Sequence, residues 1–276
     1  MISAWLSRLT APRSVDIPAP LWADTLARLP GAAHLTAEQG ERLRELTGQL
    51  LAAKQMEAAG GLELTPRIEV AIAAQACLPV LELGLAWYRG WTSIVVYPGE
   101  FLVHRQHADN DGVVHEFTEP LAGEAWDGGP VIVSWADAQR ATGELGQSYA
   151  VVIHEFAHKL DLLNGEANGV PPFDRRLHPG LSPRLWQQTL GEALDRFCAE
   201  LDLIEAEIPA DLDPESVAAD AYYVHLPLDA YAAQDEAEFF AVSSEAFFIA
   251  PQRLQAAFPA WYELLARFYR QDPALS

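Results

Sequence analysis

Cysteine is scarce in this sequence: Cys77 and Cys198 are the only two, far short of a disulfide framework. Basic residues are scarce too. Lys and Arg number 18 against 39 Asp and Glu, a formal net charge of −21. That balance argues against nucleic acid or an anionic membrane as the main partner, because both are held by clustered Lys and Arg. No stretch approaches the roughly 18 consecutive apolar residues of a membrane span. The opening residues, MISAWLSRLTAPRS, lack a basic start ahead of a long apolar run, and Arg8 and Arg13 interrupt what apolar character they have. A cleaved signal peptide is therefore not expected. Internal repeats, low-complexity tracts and long charge blocks are missing as well. The expectation is a soluble cytoplasmic protein.

What is present suits a packed core. Half of the residues are hydrophobic and 21% are charged, so the chain has the apolar surface that disordered chains lack. A length of 276 residues is read as one domain over residues 1–276. Its front, about residues 20–90, is helical by pattern. Leu21, Leu26 and Leu29 lead to a Pro30-Gly31 break, then Leu43, Leu46, Leu50 and Leu51 recur at helical spacing as far as about Glu57. Thr65-Pro66 opens another helix carrying Ile68, Ile72 and Ala76, with Pro79 as a kink or end. Character changes at Trp91. Ser93–Tyr97, Phe101–Val103 and Val131–Trp135 read as short strands, and Asp109-Asn110-Asp111-Gly112 as a hairpin turn. Helical patterns return at about Ser148–Leu163, ended by Asn164-Gly165, then at Leu185–Glu207, Ala237–Ala250 and Pro251–Tyr269. The predicted class is α+β, predominantly helical, with a small mixed sheet at about residues 91–135.

Residues 154–158 read His-Glu-Phe-Ala-His on one of these helices. An i, i+4 pair lies on one face, about 5–6 Å apart at Cβ, so His154 and His158 can converge on one Zn²⁺. Glu155 sits about 100° round the helix from His154, beside the metal position, where it can take a proton from a water rather than ligate. Val151, Val152, Ile153, Phe156 and Leu160 can pack beneath the motif. Two imidazoles and a carboxylate make a poor purely structural helix among so much apolar surface.

A catalytic zinc takes three protein ligands and leaves one position open. His158 is followed by Lys159, Leu160, Asp161 and Leu162 with no third histidine of the metzincin type, so the third ligand comes from further along. Residues 237–250, AEFFAVSSEAFFIA, are apolar nearly all round, yet carry Glu238 and Glu245 two turns apart on one face. A carboxylate in such surroundings is costly unless paired or metal-bound. Spacing leaves both as candidates.

The stretch VVIHEFAHKLDLLNGEANGVPPF, with YAAQDEAEFFAVSSEAFF downstream and GGLELT, IAAQACLPVLELG, VVYPGEFLV and AGEAWDGGPVIVSW upstream, resembles the Mlc titration factor A family of bacterial zinc metallopeptidases. The likeness runs from about residue 20 to 270. It implies a core similar to that of anthrax lethal factor, a gluzincin-like site of two histidines and a glutamate with a tyrosine seven residues ahead of that glutamate. Tyr231 precedes Glu238 by seven. The resemblance therefore implies one zinc ion on His154, His158 and Glu238, Glu155 as general base and Tyr231 as oxyanion stabiliser. It also implies aminopeptidase-type hydrolysis of peptides, and binding of the glucose repressor Mlc with a role in regulating the glucose phosphotransferase system. The rival reading is a regulator-sequestering binding protein whose metal is mainly structural; an endopeptidase with one protein target is a third.

Other residues carry weaker signals. Asp161 either orients an imidazole or makes a structural hydrogen bond. Val131–Trp135 reads as a possible edge strand for an extended peptide. His104, His107 and His115 read as surface histidines, Cys77 and Cys198 as inert core thiols, and His225 as a minor rival for the metal.

Overall fold

The computed structural model describes residues 13–108, 114–121, 123–126, 128–140, 149–214, 216 and 218–275. Helix α1 (Ala19–Arg28) starts with Pro20 in its first turn, and a single 3₁₀ turn after Gly31 leads to α2 (Ala37–Ala53). Thr36 and Gln39 close a capping box there: Thr36 Oγ1 accepts from the Gln39 N–H at 3.2 Å, and Gln39 Oε1 accepts from the Thr36 N–H at 3.0 Å. The sequence pattern carried helix on to about Glu57. Instead Gln55–Ala58 is strand β1, with no strand-forming signal of its own. Lys54 donates to the carbonyls of Tyr88 and Trp91 and lies 3.7 Å from the centre of the Trp91 ring, turning the chain out of the helix. The backbone then pairs in parallel with Ser93–Val96, so pairing overrides local preference.

Helix α3 (Pro66–Cys77) is capped by Thr65 and ends just before Pro79. Strand β2 (Ser93–Tyr97) follows, then β3 (Phe101–Ala108), β4 (Val114–Leu121), β5 (Gly123–Ala125) and β6 (Val131–Ser134). The main sheet has the order β1-β2-β6-β5, with β1, β2 and β6 parallel and β5 antiparallel to β6. It is mixed, and the fold is α+β. Strands β3 and β4 form a separate antiparallel pair, Phe101 opposite Leu121 and Ala108 opposite Val114. The turn residues Asp109–Gly112 and the side chains of His104, His107 and His115 lie outside the described residues. Trp135 belongs to α4 (Trp135–Arg140), not to the strand.

Helix α5 (Val151–Asp161) carries the histidine motif and runs into a 3₁₀ turn that Gly165 closes with φ +94. Helix α6 (Pro183–Glu205) is capped by Ser182, and α7 (Asp220–Tyr223) is one short turn. Helix α8 (Glu236–Ile249) is buried along almost its whole length. The last helical pattern divides into α9 (Pro251–Ala257) and α10 (Pro259–Tyr269), because Pro259 cannot supply the N–H that a continuous helix needs. Helix α5 lies between the sheet and α8. Its buried side, Val152, Ile153, Phe156, Ala157 and Leu160, belongs to the same core as Phe239, Phe240, Phe247, Trp186, Trp261 and Phe268. Among the described residues, no helix is long and apolar enough to cross a membrane.

Candidate metal centre

Helix α5 enters its first turn without a side-chain cap from its own segment. Glu245 of α8 supplies one, its Oε2 accepting the Ala150 N–H. The other oxygen, Oε1, accepts from His154 Nδ1 at 2.8 Å. With that proton fixed on Nδ1, the lone pair of a neutral His154 sits on Nε2 and points away from Glu245. Glu238 is in the first turn of the same helix, its backbone N–H donating at 2.9 Å to Asp235 Oδ1, the N-cap.

Three acceptor atoms meet between the two helices. His154 Nε2 and His158 Nε2 are 3.1 Å apart, and Glu238 Oε2 lies 3.1 Å from the first and 3.4 Å from the second. Tetrahedral ligands at roughly 2.0–2.1 Å from zinc are separated by about 3.3 Å. The observed triangle has that size. The buried Glu238 Oε2 makes no hydrogen bond of good geometry, and with both rings neutral three lone pairs would face one another there, an arrangement that a cation relieves. His154, His158 and Glu238 are thus able to hold a metal ion, and among the described residues they are the group of three that can.

Without a metal, protons take up the charge. Burial opposes a charged His154, but the Glu238 and Glu245 carboxylates and Glu155 outweigh it and hold its pKa well above the usual histidine range. Burial likewise opposes ionised Glu238, and the two imidazoles outweigh it and hold that carboxyl well below its usual range. Metal binding must displace the proton. Glu155 is 4% exposed and its Oε2 has no hydrogen-bond partner. Burial pushes its pKa up to about 8, with His154 opposing and Glu238, Glu245 and Glu124 adding to the rise. Strand β5 runs directly over it: a β-carbon at Gly123 would come within 2.6 Å of Glu155 Cγ.

Residues 3–270 match the family described as glucose-regulated metallo-peptidase M90. This chain belongs to that family. It is 38% identical over 253 residues to Mlc titration factor A of Klebsiella pneumoniae subsp. pneumoniae, covering 91% of this chain and 86% of the relative. It is 36% identical over 270 residues to the protein of the same name from Yersinia pestis, covering 98% and 90%. Membership of the M90 family makes this a metallopeptidase.

The structure places the other sequence candidates around this cluster or away from it. Tyr231 lies in a 3₁₀ turn beside His154, ring centroids 6.2 Å apart, and is 42% exposed. Asp229 fixes that turn by accepting the Tyr231 N–H at 2.9 Å. Glu245, a candidate ligand by spacing, instead holds the outer nitrogen of His154. Its signal in the sequence was the seven-residue spacing from Glu238, which puts both carboxylates on the α5 side of α8. Asp161 makes the structural hydrogen bond, Oδ2 accepting the Gly169 N–H at 2.7 Å. His225 is exposed and outside the cluster. Strand β6 is not an edge, since it lies between β2 and β5; among the described residues β5 is the terminal strand on that side. Its three residues were too short and too poor in β-branched side chains to register as a strand. Cys77 is buried, whereas Cys198 is only half-buried, against the expectation of a second core thiol.

Proposed function

We propose that this chain is a zinc-dependent peptidase of the aminopeptidase type, with His154, His158 and Glu238 as ligands, Glu155 as general base and Tyr231 as oxyanion stabiliser, in one catalytic domain. The observation that carries this reading is the triangle of His154 Nε2, His158 Nε2 and Glu238 Oε2, with sides of 3.1, 3.1 and 3.4 Å, beside the buried carboxylate of Glu155. When bound, the ion would polarise the scissile carbonyl and lower the pKa of a water in its open position. The ion's charge would also favour ionised Glu155 over the neutral form that burial favours in the metal-free chain; as carboxylate, Glu155 removes a proton from the attacking water as the water oxygen bonds to the carbonyl carbon. It then returns that proton to the amine as the C–N bond breaks. Tyr231, on an exposed turn that substrate can reach, donates its phenol O–H to the oxyanion, a contribution of about 3 kcal/mol. Among the described residues β5 ends the sheet, so an extended peptide could add there, next to Glu155. The support for an aminopeptidase rather than an endopeptidase is the family resemblance.

A second reading is favoured by the relatives' name, Mlc titration factor A: the chain binds a repressor of the Mlc type, with the metal serving structure. Glu155→Gln separates the two, because it keeps all three ligands and removes the base. A peptidase retains zinc and loses about 10²–10⁴-fold in hydrolysis of an aminoacyl anilide. Undiminished hydrolysis by the variant refutes the proposed mechanism. Binding of an Mlc-type repressor by a wild-type chain that cuts nothing in a peptide library supports the second reading. Cleavage of long substrates but not aminoacyl anilides reassigns the enzyme as an endopeptidase.

A further inference from the structure

The loop that follows the histidine helix is tied to three helices through one glycine. Asp161, the last residue of α5, is fully buried and accepts the Gly169 N–H at 2.7 Å. The Gly169 carbonyl accepts the indole N–H of Trp186 from α6, also at 2.7 Å and fully buried. Asn164 Nδ2 donates to the Val170 carbonyl at 2.9 Å, and the Val170 N–H donates to Asn168 Oδ1 at 3.1 Å, bracing the loop on either side. The third tie is steric. A β-carbon at Gly169 would lie 2.8 Å from the Glu236 carbonyl carbon, nearer still to its oxygen, and 2.9 Å from Leu190 Cδ1. Its φ of +71 independently favours glycine. Glu236 begins α8, two residues before Glu238.

We propose that Gly169 is a positioning residue for the metal ligands: its backbone is the spacer that sets the first turn of α8, and with it Glu238, against the histidine helix. The proposal rests on the ligand assignment above. Asp161 anchors the spacer to α5, Trp186 anchors it to α6, and the Glu236 carbonyl packs against the bare α-carbon. Carbon atoms in contact sit about 3.5 Å apart or more, so a methyl group here must drive the start of α8 away by about 0.7 Å. A metal site keeps its ligand distances to within about 0.2 Å. Nothing else at position 169 reaches the metal, so its influence runs through the placement of Glu238.

The test compares wild type, Gly169→Ala and a control, Leu43→Ala, which opens a cavity in α2 away from the site. Zinc affinity is read by competition with a chromophoric chelator, ligand geometry by the visible absorption of the cobalt-loaded protein, and stability by the thermal midpoint of the metal-free chain. The expected result is a zinc Kd weakened about tenfold or more in Gly169→Ala, with a changed cobalt spectrum. Leu43→Ala should lose stability yet keep zinc affinity within about twofold of wild type. If Gly169→Ala does not fold, Trp186→Phe takes its place. It adds no bulk, leaves the Gly169 carbonyl unpaired and lets the spacer retreat, and it too should weaken zinc relative to the control. A folded Gly169→Ala, or Trp186→Phe in its stead, that binds zinc as wild type does overturns the proposal. So does an equal loss of affinity in Leu43→Ala. Failure of the ligand assignment is read separately, on wild type alone, as the absence of bound zinc, and it would remove the proposal with it.

Discussion

Replacing Glu245 with glutamine isolates what the outer carboxylate does for the proposed metal site. Both of its oxygens are committed, one to His154 Nδ1 and one to the Ala150 N–H, and its side chain is 5% exposed. Both partners are donors. Glutamine has one acceptor oxygen and one NH₂ group, so whichever way the amide turns, one donor faces another donor. If the amide oxygen keeps Ala150, the NH₂ group confronts Nδ1–H and favours the other tautomer, which moves the proton to Nε2 and removes the lone pair that the proposed metal site requires. A charge-assisted hydrogen bond is worth about 1.5–3 kcal/mol, which corresponds to roughly 10–100-fold in affinity, the range expected when a partner of a ligating histidine is lost. If the oxygen turns to His154 instead, the unpaired Ala150 N–H costs the helix terminus about 0.5–2 kcal/mol, and the loss appears in stability. Zinc titration against a chelator, together with urea unfolding of the metal-free chain, measures both branches. A Glu245→Gln protein with wild-type zinc affinity and wild-type stability refutes the role given to Glu245.

Three further outcomes follow from particular contacts. Gly123→Ala should lower kcat at least about tenfold while the metal stays bound, because the new methyl group falls within 2.7 Å of Glu155 Cδ and displaces the proposed base; steady-state kinetics with metal analysis checks this, and an unchanged kcat contradicts it. His178 is buried, accepts the Asp174 N–H on Nδ1 at 3.1 Å and donates from Nε2 to the Phe268 carbonyl at 3.0 Å. Burial lowers its pKa, Arg270 lowers it further, and the Phe268 carbonyl and Asp174 only partly offset this. The unfolded chain therefore takes up this proton first, so the stabilisation is complete above about pH 6.5 and is lost as pH falls. The urea midpoint of wild type should thus fall towards that of His178→Gln between pH 7 and 5, and a constant difference would count against it. Burial raises the Cys77 pKa far above the ordinary thiol range, the Thr47 contact offsetting little of it; Cys77 should resist a thiol reagent at pH 8 in the native protein while the half-buried Cys198 reacts, as peptide mapping would show.

The strongest signals in the sequence were those that need no tertiary partner to be read. The i, i+4 histidines, the Thr65-Pro66 start and the Asn164-Gly165 stop are local rules, and α3 and α5 obey them. What escaped was set by neighbours. Strand β1 has no β-branched residue and exists because β2 offers a parallel edge. Strand β5 is three residues long and is defined by pairing with β6 and by its position over Glu155. Trp135 extends an apolar run that reads as strand, yet Ser134 Oγ accepts the Asp137 N–H at 3.3 Å and turns the chain into α4. Spacing left Glu238 and Glu245 equivalent, because a helical face shows only that two carboxylates look the same way; distance to each end of the facing helix separates their roles.

That separation follows from the direction in which the two helices cross. Going forward along α8 from Glu238 to Glu245, the partners on α5 go backward, from His158 and His154 to His154 and Ala150. The helices are therefore antiparallel. Seven residues of α8 rise about 10.5 Å and the eight from Ala150 to His158 about 12 Å, so the two carboxylates span the length of the motif. His154 lies between them and touches both, one at each ring nitrogen. A parallel crossing would bring Glu245 to the C-terminal end of α5, where its charge would meet the negative end of the helix dipole and no backbone N–H would be left to accept. The antiparallel arrangement places it at free N–H groups, where a carboxylate is favoured. It also leaves Glu238 in the first turn of its own helix, where the dipole again favours negative charge. One pair of acidic residues thus caps one helix, occupies the first turn of another and faces both nitrogens of a single imidazole, one on the side of the helix terminus and one on the side of the proposed metal.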